Sequence, residues 1–71
     1  MRDVWLNAEP VALYKILKFE ALVTSGGEAK AAIADGHVQV NDAIETRKRR
    51  QIVGGDVIRF AGEELRICVK D

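Results

Sequence analysis

Five consecutive residues, Thr46-Arg47-Lys48-Arg49-Arg50, hold the densest reactive chemistry in the chain. Arginine presents a planar fork of donors that fits phosphate oxygens two at a time and stacks on bases; lysine adds a mobile point charge. Such a run is either a solvated loop or a contact for an anionic partner, and residue type alone leaves both open. Lys15, Lys18 and Lys30 are further cations on stretches with helical spacing. They can meet phosphates or simply face water. A second candidate is Ser25-Gly26-Gly27-Glu28. Serine three residues before glutamate is a capping box: the hydroxyl accepts from the Glu28 amide and the carboxylate reaches back to the Ser25 amide. Gly26 and Gly27 then leave bare amides at a helix N-terminus, where an anion is stabilised. Alternatively they permit close packing or a tight turn into the helix.

Other chemistries are poorly served. His37 is the sole histidine and has no cysteine beside it, which argues against a metal site. Asp56 follows Gly54-Gly55 and has no second carboxylate or histidine at motif spacing, so it reads as a turn residue bonding nearby amides. Cys68 is the only cysteine, so no internal disulfide forms; it reads as a half-buried small residue. No phosphate loop, dinucleotide fingerprint, zinc spacing or catalytic triad is present, so neither an enzyme nor a bound cofactor is expected. Eleven basic and eleven acidic residues cancel, and a pI of 6.6 is low for a nucleic-acid binder. Much of the acid, however, lies away from the arginine run, at Asp3, Glu9, Glu63, Glu64 and Asp71. A fold that segregates these groups gives a neutral protein one basic face.

The elements that must position these groups follow from periodicity. Residues 2–6 spell a short strand with Val4 and Leu6 on one face and Trp5 on the other; it needs a partner, expected at the end of the chain. Trp5 is read as packing in preference to a stacking platform, because large aromatics dominate small cores. Pro10 suits a first helical turn, so a helix is expected from Pro10 to about Phe19 or Glu20, with Leu13, Ile16 and Leu17 inward and Phe19 flanking them. Leu22 is expected to be buried between this helix and the next. The second helix has Ala29, Ala32 and Ile33 on one face and stops at Gly36. Val38 and Val40 alternate as a strand, Asn41-Asp42 turns it, and Ala43-Ile44-Glu45 returns. Asn41 is a turn former, and His37 sits at the strand's surface end. Val57–Phe60 and the alternating Leu65, Ile67 and Val69 supply two more strands, joined through Ala61-Gly62-Glu63. Seventy-one residues suffice for one domain, 1–71, with a thin core. No run approaches a membrane span and no secretory signal is visible, so a soluble, cytoplasmic protein without membrane contact is expected.

The ordered set Ser25, Ala29, Ala32-Ile33, Gly36, Val38-Gln39-Val40-Asn41 and Ile52-Val53-Gly54-Gly55-Asp56-Val57-Ile58 resembles the small RNA-binding module first known from ribosomal protein S-four, the alpha-L motif. The likeness covers about residues 13–60. The runs Ser25–Ile33 and Glu45–Arg49 are similar to the stand-alone bacterial subgroup of the YbcJ type. This resemblance implies an α+β fold: two short helices packed on a small antiparallel sheet of about four to five strands. It implies a non-catalytic, monomeric RNA binder that reads the shape of structured RNA, ribosomal or transfer RNA, with a role in ribosome assembly or translation. The expected contacts are Lys15, Lys18, Ser25, Gly26, Gly27, Lys30, Arg47, Lys48, Arg49 and Arg50. Neutralising about four to six phosphates implies a log–log salt slope of roughly −3 to −5. Two departures stand out. Family members often carry a basic residue after the capping Ser or Thr, where this chain has Gly26-Gly27, and usually glycine after the turn Asn, where it has Asp42. An alternative is a protein-interaction module whose basic loop docks an acidic partner, such as a ribosome-associated protein.

Overall fold

The computed structural model describes residues 1–70; Asp71, one of the acids placed away from the arginine run, lies outside them. The element order is β1 (Arg2–Leu6), β2 (Val11–Ala12), α1 (Leu13–Phe19), α2 (Gly26–Ala34), β3 (Val38–Val40), β4 (Ala43–Ile44), β5 (Gln51–Ile52), β6 (Val57–Phe60) and β7 (Glu63–Val69). A five-stranded sheet runs in the order β1-β7-β6-β3-β4, and β2 pairs with β5 in a small second sheet. The expected α+β class is observed, with one difference. β1 pairs with β7 in parallel, Val4 opposite Ile67, so the sheet is mixed. The other pairings are antiparallel.

Both helices lay their apolar stripe on the sheet. Leu13, Ile16 and Leu17 from α1, and Ala29 and Ile33 from α2, are buried against Val38, Ile58, Leu65 and Ile67. Val23 is buried in the connection, whereas Leu22 is only half-buried. Trp5 is not core: its residue is 60% exposed on the outer side of β1, while Val4 and Leu6 carry the inward packing.

The signals at α2 are read out closely. The Glu28 amide donates to the Ser25 hydroxyl at 3.1 Å. The returning Glu28 carboxylate accepts from the Thr24 hydroxyl at 2.9 Å and the Thr24 amide at 3.4 Å, one residue before the expected Ser25 amide. Gly36, at φ 80°, ends the helix: its amide donates to the Ile33 carbonyl and that of His37 to Ala32.

α1 begins at Leu13, three residues after Pro10. Pro10 is not a helical first residue; Val11 and Ala12 run extended instead and bridge to Ile52 and Gln51. Ala12 supplies no side-chain cap. The first amides of the helix are satisfied from elsewhere in the chain, by the basic loop.

Candidate nucleic-acid interface

The Leu13 amide donates to the Arg50 carbonyl at 2.9 Å and the Tyr14 amide to the Lys48 carbonyl at 3.1 Å. The loop after β4 therefore caps α1 with its own backbone, answering two of the orphan donors every helix start leaves. Within the loop, the Arg50 amide donates to the Arg47 carbonyl at 3.1 Å, which makes a turn with Lys48 and Arg49 at its corner. Corner side chains project away from the chain that carries them, and both residues are exposed.

Glu45 organises the flanks of this turn. It is 6% exposed, the one buried charged residue among those described. Its carboxylate accepts from the Arg47 Nε at 3.0 Å, the Arg47 Nη2 at 3.1 Å, the Arg47 amide at 3.0 Å and the Arg50 Nη1 at 2.7 Å. A planar fork on one side and a single short bond on the other fill its acceptor capacity. Arg47 first, and Arg50 with it, holds the Glu45 carboxyl at about 2 against an ordinary 4.5, although burial pulls the other way. Arg47, Arg49, Arg50 and Gln51 line one open groove beside the turn.

The helices meet this loop through Tyr14. The Lys30 Nζ on α2 stands 4.8 Å over the Tyr14 ring, a cation–π contact, while the Tyr14 amide holds Lys48. Lys15 and Lys18 are exposed on α1. Ser25 is the α2 cap already described. Neither Gly26 nor Gly27 has a left-handed φ; a Cβ on Gly26 would meet nothing within 4 Å, and on Gly27 only the Ser25 Oγ at 3.9 Å. Close packing therefore does not call for glycine at either position.

Ion pairing divides the cations in two. Arg2, Arg59 and Arg66, on the sheet, each hold acids: Glu20 and Glu63, Asp42 and Glu64, and Asp3. Arg47 and Arg50 share Glu45. Among the described residues, Lys15, Lys18, Lys30, Lys48 and Arg49 make no ion pair. A net charge of zero thus coexists with a helix-and-loop region in which five of seven cations make no ion pair among the described residues. Glu45 and Tyr14 were not among the expected site residues. The position of Glu45, two residues before Arg47 and five before Arg50, was a legible signal; the stacking of Lys30 on Tyr14 was not.

Asp56 has the turn role expected of it. It accepts from the Val53 amide at 3.0 Å and the Asn41 side-chain amide at 3.0 Å. Asn41 and Asp42, at φ 51° and 70°, make the two-residue turn between β3 and β4 left-handed at both positions.

The chain matches the S4 domain model over residues 4–68. It is 47% identical over 57 residues to YbcJ of Escherichia coli (strain K12), covering 80% of this chain and 81% of that protein. It is 33% identical over 57 residues to the probable ribosome maturation protein RlbA of Bacillus subtilis (strain 168), with 80% of each chain covered. The solution structure of E. coli YbcJ, described as revealing an alpha-L motif involved in RNA binding, superimposes with a TM-score of 0.73 at 43% identity, over 96% of this chain and 87% of that one. On the family match and these identities, the chain belongs to the S4 domain family.

Proposed function

We propose that this protein is a monomeric, non-catalytic RNA binder that grips structured RNA of the ribosomal or transfer class. The observation that carries this reading is the set of five unpaired cations on the helices and loop, Lys15, Lys18, Lys30, Lys48 and Arg49, beside arginines already fixed in place. Lys48 and Arg49 are the leading phosphate contacts. Arg47 and Arg50 line the groove with Arg49. Ser25, Gly26 and Gly27, at the start of α2, would add backbone amides. Structured RNA presents phosphates and 2′-hydroxyls over a wide shallow groove, which such a surface reads as shape. The YbcJ alpha-L motif is described as involved in RNA binding, and RlbA as a probable ribosome maturation protein; both support the class of partner and a role in ribosome assembly.

The test is binding of ribosomal RNA fragments and transfer RNA at two salt concentrations, followed by anisotropy of labelled RNA. Five contacts predict a log–log slope of roughly −3.5 to −4.5. Failure to bind either RNA at low salt, or an affinity indifferent to salt, overturns the proposal.

A further inference from the structure

Two large aromatic residues are left outside the core. Trp5 is 60% and Phe19 68% exposed, and together they line a groove of about 100 Å³. Its other walls are Val4 and Leu6 of β1, Ile16 of α1 and Glu20 at the end of that helix. In a chain this small, neighbouring exposed aromatics are apolar area left without a partner. The one acid in the groove, Glu20, is held by Arg2 at 3.5 Å, which moderates its repulsion of a polyanion.

The groove is continuous with the proposed RNA surface. Lys15, Lys18 and Phe19 stand at i, i+3 and i+4 on α1 and all are exposed, so they form one stripe along the helix. At its start, Tyr14 binds the basic loop; at its end, Phe19 borders the groove. Seven residues span about 10 Å, within reach of adjoining nucleotides. Phosphates lead along the lysines, and an aromatic cleft follows. Splayed bases of structured RNA stack on such side chains irrespective of sequence, because every base has a π face.

We propose that the groove between Trp5 and Phe19 receives one unpaired nucleobase of the RNA whose phosphates lie along Lys15 and Lys18. This rests on the RNA-binding reading and adds a stacking site to its electrostatic one.

Trp5 is the only tryptophan, so its emission reports on the groove directly. The probes are the same ribosomal RNA fragments and transfer RNA, with binding read independently by anisotropy. On saturation, Trp5 emission should be quenched and shielded from acrylamide. Trp5→Ala and Phe19→Ala should each weaken binding about 5- to 150-fold, the range alanine substitution gives for a stacking aromatic, with the salt slope unchanged. Trp5→Phe should restore most of the loss. Circular dichroism checks the fold of each variant. RNA that binds while Trp5 emission and acrylamide access stay as in the free protein overturns this proposal alone, and the groove then suits an apolar peptide. Absence of RNA binding in wild type removes the RNA reading itself and the stacking site with it.

Discussion

The sheet strands carry three cations and the helix-and-loop region seven, and the two regions treat them oppositely. On the sheet, each arginine sits against carboxylates: Arg59 bridges Asp42 and Glu64 at 2.6 Å each, and Arg66 holds Asp3 at 3.0 Å. Around the helices and the loop, one carboxylate serves two arginines, and five more cations have no ion-pair partner among the described residues. Net charge averages over this difference, which is why a neutral chain is compatible with binding a polyanion. Where acids are matched to bases, the fields cancel within a few ångströms; where they are not, the field extends about a Debye length into solvent.

Reversing the unpaired corner should have the largest effect. Lys48→Glu with Arg49→Glu should lower affinity for structured RNA on the order of 100-fold near 0.1 M salt, with the thermal midpoint nearly unchanged, and flatten the salt slope by about 2. Next comes the clamp. Glu45→Gln should cost about 3 kcal/mol in urea unfolding at neutral pH, since it removes a carboxylate whose pKa is about 2 when folded against 4.5. The unfolded chain takes up that proton at higher pH than the folded one. The stabilisation is therefore complete above about pH 4.5 and lost as pH falls towards about 2, and the variant should lack this limb of the acid titration. Lys30→Ala should be milder, a few-fold in affinity and about 1 in slope, measured by the same anisotropy titration. Smallest of all, Arg59→Ala and Arg66→Ala, which break exposed pairs, should each leave the urea midpoint nearly unchanged and the RNA salt slope where it was. A slope that fell with Arg66→Ala would erase the distinction between the two regions.

Local signals carried much of the fold. Ser25 and Glu28 marked the start of α2, Gly36 its end, and the Val38–Val40 alternation its following strand. Misreadings arose where a distant segment decides. Pro10 looked like a helix start, but the cap of α1 is supplied by carbonyls of Lys48 and Arg50, more than 30 residues on. Trp5 looked like core because aromatics usually are; whether it is depends on which face of β1 the helices cover, a tertiary matter. The parallel sense of β1 against β7 has no trace in either strand's composition. At the candidate site, the charged run was plain, but its division into clamped Arg47 and Arg50 and free Lys48 and Arg49 depends on the reach of Glu45.

The parallel pairing of β1 with β7 also bears on the order in which the chain assembles. Asp3 meets Arg66 across 63 residues, whereas β3 meets β4 through a two-residue turn. Closing the longer loop costs a few kcal/mol of chain entropy on the order of 1.5RT ln n, recovered only once β7 is already in place beside β6. Loop-closure entropy thus predicts that β1 docks after β6 and β7 have paired, and that its amides exchange with solvent before those of β3 and β6. Because β1 bears the lone indole, a fluorescence-detected refolding experiment reports on the docking of β1 and not on the pairing of β3 with β4.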